Sequence, residues 1–372
     1  MARVDNDVVN LIEKIRRAIR GGMMQPDTFP LDEINNLIEC TLGNSFWKYI
    51  VSQSNYGFVN LPGIYKDCLQ EALKRKDMEE CGRILYLFQC SYIAFYTAMS
   101  DDEKIFRQKP YRKMIIELGT ANAQMQGRIH KERQKGLVKI ENTVLGQGRG
   151  VVYTYLMGEK KLNQPEEASA QVDYLCFTDK EDKWGKKEGV WEYRPAEKLE
   201  KTDASFARSK YRIMAHQMLP EYDYSVWVDP DMVVVGDLSR FCKVYGQGNS
   251  FLCFPDAKED CIYEDMSVVH MRTDRLNLAI RKKLLQFQKE GYPEHNGLID
   301  NRVIVRNHRD RQMCETMEAW WEEVYDGHSI VENIFNYVAW KQKFPFSLCD
   351  LFIYENPYFK NGQIDLNTNE DY

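Results

Sequence analysis

Two carboxylates two residues apart, Asp229 and Asp231, interrupt an apolar run: Tyr224-Ser225-Val226-Trp227-Val228 precedes them and Met232-Val233-Val234-Val235 follows. On extended backbone such side chains point the same way, so the pair can offer oxygens to one hard divalent cation. Pro230 between them removes a backbone donor and stiffens the chain. Asp and Pro are also turn residues, and a solvated turn at a strand end explains the same tripeptide without a ligand. A magnesium or manganese ion held by one or two carboxylates plus substrate phosphates would suit a diphosphate leaving group.

A site of this kind needs a sheet to carry it, since ligands of open α/β sheets gather at the carboxyl ends of strands. Strand-like segments at Val151–Leu156, Tyr174–Phe177, Ser225–Val235, Phe251–Phe254 and Arg302–Arg306 alternate with helical ones at Ala204–Met218, Leu276–Lys289, Cys314–Tyr325 and Ser329–Gln342. That alternation predicts an α/β sheet. Upstream, helical spacing recurs at Asp7–Ile19, Leu31–Leu42, Ile64–Lys76 and Met78–Met99, so the first 140 or so residues read as all-helical. Gly146-Gln147-Gly148-Arg149-Gly150 punctuates the change. These glycines come before a strand rather than between a strand and a helix, so they read as a linker and not a phosphate loop. The expected division is a helical domain over 1–148 and an α/β domain over 149–372.

With 372 residues, 44% hydrophobic and 28% charged, the chain has the bulk of a folded, globular protein. Its net charge of −6 supplies no general attraction to a phosphate backbone, which argues against nucleic acid. The 10 cysteines include no CxxC pair and read as buried thiols of a reducing compartment. The N-terminus carries charge where a secretory signal needs an apolar core, and the most apolar stretch, Ile84–Met99, is short for a membrane span. A cytoplasmic protein is expected.

The run from Lys210-Tyr211-Arg212-Ile213-Met214-Ala215-His216 through Tyr224-Ser225-Val226-Trp227-Val228-Asp229 resembles the glycosyltransferase-like family of bacterial surface-polysaccharide clusters and plant mucilage proteins. Tyr174-Leu175-Cys176-Phe177-Thr178-Asp179 looks like its early strand, and Asp260-Cys261-Ile262-Tyr263-Glu264-Asp265 like its middle acidic motif. Gly297-Leu298-Ile299-Asp300-Asn301-Arg302, Trp320-Trp321 and Phe335-Asn336-Tyr337 carry the likeness onward, so that it covers about Val151 to Phe344. The resemblance implies a GT-A fold, Rossmann-like and nucleotide-sugar-binding, with an Asp-x-Asp metal site for Mn2+ or Mg2+ at Asp229 and Asp231. It also implies that the basic region with Asp203, Arg208 and Lys210 sits near the donor nucleotide. Two departures stand out: Val331-Glu332-Asn333 replaces an Arg-Asp-Gln tripeptide, and Pro230 stands where glycine is expected.

The resulting expectation is a metal-dependent glycosyltransferase that moves a sugar from a nucleoside diphosphate, by analogy UDP, to a glycan or lipid-linked acceptor in surface-polysaccharide synthesis. Asp229 and Asp231 would hold the metal, Asp231 and Glu332 would act at the reacting sugar, and Asp203, Arg208, Lys210, Asp229, Asn296 and Gly297 would hold the donor. The Asn296-Gly297 pair could bring backbone close to a sugar or be a plain turn. Arg302, Arg306, His308, Arg309 and Arg311 could bind an acidic group or form a wet surface. His295, His308 and His328 are the histidines placed to supply a further ligand, though none has metalloenzyme spacing. Glu264 and Asp265 are adjacent and would face opposite ways on a strand. Trp320 and Trp321 read as helix packing against the sheet. The alternatives are a degenerate transferase that binds sugar or a partner without turnover, and a metal-dependent hydrolase. The N-terminal helices could cover the acceptor, form a homo-oligomer, or dock peripherally on the inner face of a membrane through Lys14, Arg16, Arg17 and Arg20.

Overall fold

The computed structural model describes residues 6–42, 61–98, 109–137, 145–157, 162–196, 204–257, 260–263, 265–266, 278–326 and 334–362. Asp203, Glu264, His328 and Glu332 lie outside the described residues. Those that are described fall into two compact units, one within Met1–Met125 and one within Gln126–Gln363.

The first unit is helical, as its 3.6-residue periodicity requires: α1 (Asn6–Arg20), α2 (Leu31–Leu42), α3 (Leu61–Lys74), α4 (Met78–Ala98) and the first part of α5 (Lys109–Arg133). Ile12 and Ile15 of α1, Ile34 and Ile38 of α2, Leu69 of α3 and Leu85 and Phe88 of α4 are among its buried residues, the one-sided stripe of an amphipathic bundle. Ile84, Leu85, Leu87, Phe88 and Tyr92 of the apolar stretch of α4 are therefore core, with Tyr65 set edge-on to Phe88 at 5.8 Å. On α1, Arg16 donates to Glu13 and, at 2.9 Å, to Gln89, while Arg17 donates to the same Glu13. Half of the basic cluster on α1 is thus already engaged within the unit.

The second unit carries an eight-stranded sheet in the order β3-β4-β2-β1-β5-β8-β7-β9. Its strands are β1 (Gly150–Leu156), β2 (Val172–Thr178), β3 (Lys187–Glu188), β4 (Trp191–Pro195), β5 (Tyr224–Val228), β7 (Phe251–Pro255), β8 (Ile299–Asn307) and β9 (Ser347–Leu348). β6 (Met232–Val234) pairs instead with the late strand β10 (Phe359–Asn361). β4, β2, β1 and β5 run parallel, and β8 lies antiparallel between β5 and β7. Every residue of β1 and β5 is buried, as strands covered on both faces must be. The chain is therefore the expected α/β sheet domain preceded by helices.

One face of the sheet is covered by α6 (Ala204–Ile213), the short α7 (Ala215–Met218), α9 (Leu278–Glu290), α10 (Arg311–Asp326) and α11 (Phe335–Gln342). Tyr153, Phe177, Trp227, Phe251, Met317, Trp320 and Phe335 interlock there. Trp320 fills the core as expected, with its partner Trp321 packed at the margin. Phe241 of α8 (Leu238–Tyr245) packs instead against Phe254, at 6.1 Å, and Phe359.

The second unit begins at Gln126 rather than near residue 149. The reason lies in side chains at the end of α5. Gln126 donates to the Asp256 carbonyl, Arg133 donates to the His295 carbonyl, and His130 stacks on Phe346 at 4.2 Å while bonding its carbonyl. The polar, charge-rich segment after Gln124 is helix C-terminus tied to the sheet unit. The basic set on and after β8 is dispersed: Arg302 and Arg306 are four strand residues, about 13 Å, apart. Arg306 is fully buried against the Ile213 carbonyl and Tyr153, Arg309 pairs with Asp223, and Arg311 pairs with Glu315 at the surface. They do not form one anion site.

Burial holds the His130 imidazole down at about 4, from an ordinary 6.5, so it is neutral in the fold and protonated in the unfolded chain below 6.5. Stability from this residue is present above pH 6.5 and lost as pH falls toward 4. In urea unfolding at stepped pH, His130→Gln should make that decline shallower by about 1.4 kcal/mol per pH unit.

Candidate active site

The strand order reverses beside β1: β2 and β4 lie on one side, β5 on the other. A crevice at such a switch point opens outside the carboxyl ends of the two flanking strands. Asp229 is the first residue past the end of β5 and therefore stands at that crevice, as the sequence predicted.

The acidic segment is not extended. Met232 N–H donates to the Asp229 carbonyl at 2.8 Å, closing a β-turn over Asp229-Pro230-Asp231-Met232. Asp231 N–H donates at 3.3 Å to Asp229 Oδ1. Proline presets the backbone for the second position of such a turn, and an Asp at the first position caps it with its own carboxylate. The strand argument for parallel carboxylates thus gives way to turn geometry. Further bonds fix the turn: Asp229 N–H to the Arg302 carbonyl at 2.8 Å, Gly362 N–H to the Asp231 carbonyl at 2.7 Å, and Asn163 Nδ2 to the Pro230 carbonyl at 3.2 Å. Just past β6 the chain passes so close to the C-terminal segment that a Cβ on Gly236 would sit 2.3 Å from the Pro357 carbonyl oxygen.

Asp229 is buried, and its Oδ2 accepts a 2.9 Å hydrogen bond from Arg212 Nη2 of α6, itself buried. The Arg212 guanidinium also lies over the Trp227 ring, 5.4 Å from its centre. Trp227 and Asp229 are two residues apart and meet the same helical arginine, in keeping with the strand period. Asp231 is half-buried, and no side chain among the described residues pairs with its carboxylate. The two acids therefore differ: one is locked, the other is presented.

Arg208 precedes Arg212 by one helical turn and shares its face. Its Nε is buried with no hydrogen-bond partner among the described residues, and it lies near Tyr155 on β1. The Tyr155 ring stacks on Tyr211 at 4.9 Å, and burial pushes its hydroxyl up to about 12. Lys210 is about 200° around the helix from Arg208 and does not share that face. Asp203 and Glu332 lie outside the described residues.

Asn296 and Gly297 precede β8, which runs against β5, so they lie at the same sheet edge as Asp229. Gly297 has φ +83°, a left-handed conformation that favours glycine, and its N–H donates to the Asp260 carbonyl at 2.8 Å. His295 Nδ1 pairs with Asp260 Oδ1 at 2.8 Å. Beside the turn, Asp300 is buried in a forked ion pair with Arg302, and Arg302 lies 4.2 Å over the Tyr354 ring. Burial works against the Arg302 charge, but Asp300 outweighs it and holds the guanidinium above its ordinary value. Arg212 and the Asp300–Arg302 pair are site residues that motif reading passed over. The i, i+4 spacing of Arg208 and Arg212 was the available signal for the first.

No family model matches the chain, and no curated protein matches it. Among solved structures, it is similar to the glycosyltransferase GlyE of Streptococcus pneumoniae TIGR4, at 11% identity and TM-score 0.32 over 54% of this chain and 45% of that one. It is also similar to mouse xyloside xylosyltransferase 1, at 10% identity and TM-score 0.32 over 54% and 84% of the respective chains. A third is the mannosyltransferase Ktr4p of S. cerevisiae, at 9% identity and TM-score 0.27 over 55% and 70%. The chain thus spans less than half the length of the first of these.

Removing the arginine from the buried pair leaves a lone charge in the interior. Arg212→Leu should cost about 3–5 kcal/mol in urea unfolding, and adding Asp229→Asn should recover part of that loss. A cost under about 1 kcal/mol for the single variant would show that Asp229 is not held in this way.

Proposed function

We propose that the protein is a metal-dependent glycosyltransferase of GT-A type, transferring a sugar from a nucleoside diphosphate, UDP in the first instance, to a hydroxyl of a glycan or lipid-linked acceptor. Surface-polysaccharide synthesis at the cytoplasmic face of a membrane is the setting we assign to it. No helix among the described residues is long and apolar enough to cross a membrane, so peripheral contact is the form this reading takes. The observation that carries the proposal is the acidic turn at the switch point, with Asp231 free of side-chain partners among the described residues.

The donor set fits a hard cation. No cluster of three or more His, Cys, Asp or Glu assembles among the described residues, so the protein's share is Asp231 with Asp229 Oδ1 beside it. Diphosphate oxygens and water would complete the shell, the usual pattern for magnesium. When bound, manganese or magnesium supplies Lewis-acid neutralisation of the departing diphosphate. The rest falls to the chain. Arg212 holds Asp229 in place, and through Asp229 Oδ1 it orients the backbone that presents Asp231. Arg208, with a buried unpartnered Nε, offers a guanidinium to phosphate oxygen. Lys210, assigned to the donor by the sequence resemblance, lies on the opposite face of the helix from Arg208. Glu332 and Asp203 are assigned to the reacting sugar and the donor by the sequence resemblance, and Asn296 and Gly297 to the donor's sugar side.

A second reading has one observation in its favour. Both Asp229 oxygens already accept hydrogen bonds, which suits a protein that binds sugar nucleotide through arginines without turnover. Thermal melts with UDP-sugars separate the two, because a ligand that binds only the folded chain raises Tm by mass action. Stabilisation that requires manganese supports the transferase, and stabilisation indifferent to it supports the binding protein. Asp231→Asn should fold normally yet lower turnover by about 10²–10³, the scale for losing one preorganised electrostatic group. Unchanged turnover at saturating metal would remove Asp231 from the mechanism.

A further inference from the structure

One cavity of the sheet unit lies away from the acidic turn. It encloses about 600 Å³ between the end of α5, the segment before β8, and α11, and Arg133, Asn296, Asn336, Trp340, Lys341 and Lys343 are among its lining residues. Such a volume is in the range that holds a small organic ligand. Asn336 is only 4% exposed, and its Oδ1 has no hydrogen-bond partner among the described residues. A buried amide oxygen left unsatisfied costs free energy, so a ligand that donates a hydroxyl or N–H is favoured there.

The rest of the wall narrows the class. Trp340 is 37% exposed, unusual for so large a ring, and it is held edge-on to Tyr292 at 5.3 Å and stacked near Tyr337 at 6.3 Å. A rigid aromatic at a cavity wall offers a flat apolar surface to the C–H face of a sugar ring. Lys341 is paired with Glu290. Arg133 is not: its guanidinium donates to the His295 carbonyl, no carboxylate pairs with it among the described residues, and burial holds it below its ordinary value. Lys343 at the exposed end of α11 likewise has no acidic partner among them. The cavity therefore offers one acceptor atom, one flat ring and, beside the Glu290–Lys341 pair that also lines it, two cations outside any ion pair among the described residues, with Asp260 acting on Arg133 from nearby.

The geometry points to a binding site for an acidic saccharide, a sugar unit carrying a carboxylate, seated on Trp340 with a hydroxyl donated to Asn336 and its anion between Arg133 and Lys343. The site lies at the same sheet edge as the acidic turn, through Asn296 before β8, which makes the saccharide the acceptor. That last step rests on the transferase reading; the binding itself does not.

The test is saturation-transfer NMR of the full-length chain with sodium glucuronate, glucose and UMP, run without donor or metal so that loss of saccharide binding and loss of donor binding are read apart. Glucuronate should bind at least about tenfold more tightly than glucose. Asn336→Ala and Lys343→Ala should each weaken it about three- to tenfold, the effect of one lost hydrogen bond or charge-assisted contact. Lys343 is exposed, so that variant keeps the test decisive if Asn336→Ala does not fold. Glucuronate binding no tighter than glucose, binding unmoved by a folded variant, or displacement of glucuronate by lower concentrations of UMP would overturn the proposal.

Discussion

The ion pair between Arg212 and Asp229 governs how the rest of the crevice is arranged. Both groups have left water, and the attraction between them must offset that desolvation. The pair joins a helix to the end of a central strand, with Trp227 beneath the guanidinium. Once Asp229 is fixed, its second oxygen caps the turn, and the turn sets the direction in which Asp231 leaves the sheet. An Asp-x-Asp sequence here yields two unlike acids: one locked into the frame and one presented.

The turn is also held from the far end of the described chain. β10 pairs with β6, and Gly362 bonds the Asp231 carbonyl, so residues more than a hundred positions later complete the crevice. Along the same sheet edge the chemistry changes sign. The acidic turn stands past β5, whereas Arg133, Lys341 and Lys343 surround the cavity near the start of β8. A cation-assisted donor site and an anion-receiving acceptor site placed in this way would hold two anionic reactants by different means, one through a metal ion and one through side-chain cations.

Much of this was legible in the sequence because it depends on local pattern. Helical spacing marked α1 to α4, β-branched and aromatic runs marked β1, β2, β5 and β7, and the Asp-Pro-Asp interruption marked the switch-point acids. The strand expected over Ser225–Val235 breaks at the turn because Asp229 and Pro230 close a hydrogen bond that extended chain cannot make. What stayed hidden is long-range. Arg212 is one of several basic residues in its run until the fold brings it against Asp229. The role of α5 shows only when Gln126, His130 and Arg133 meet their partners in the sheet unit, and Asn336 stands out only because none of the described residues satisfies its oxygen. Arg306, which the sequence leaves open between an anion site and a wet surface, is fully buried, because a strand position says nothing of which arginine has carbonyl and phenol partners waiting.

The central claim is that Asp231 presents a carboxylate for a cation that faces the donor diphosphate. A crystal of the protein grown with manganese and UDP, measured at the manganese absorption edge, tests it most directly. The account predicts an anomalous peak within bonding distance of an Asp231 carboxylate oxygen, with the diphosphate between it and Arg208, and Arg212 still bonded to Asp229. Ordered UDP with no anomalous peak at Asp231, or manganese bound elsewhere in the unit, would contradict it.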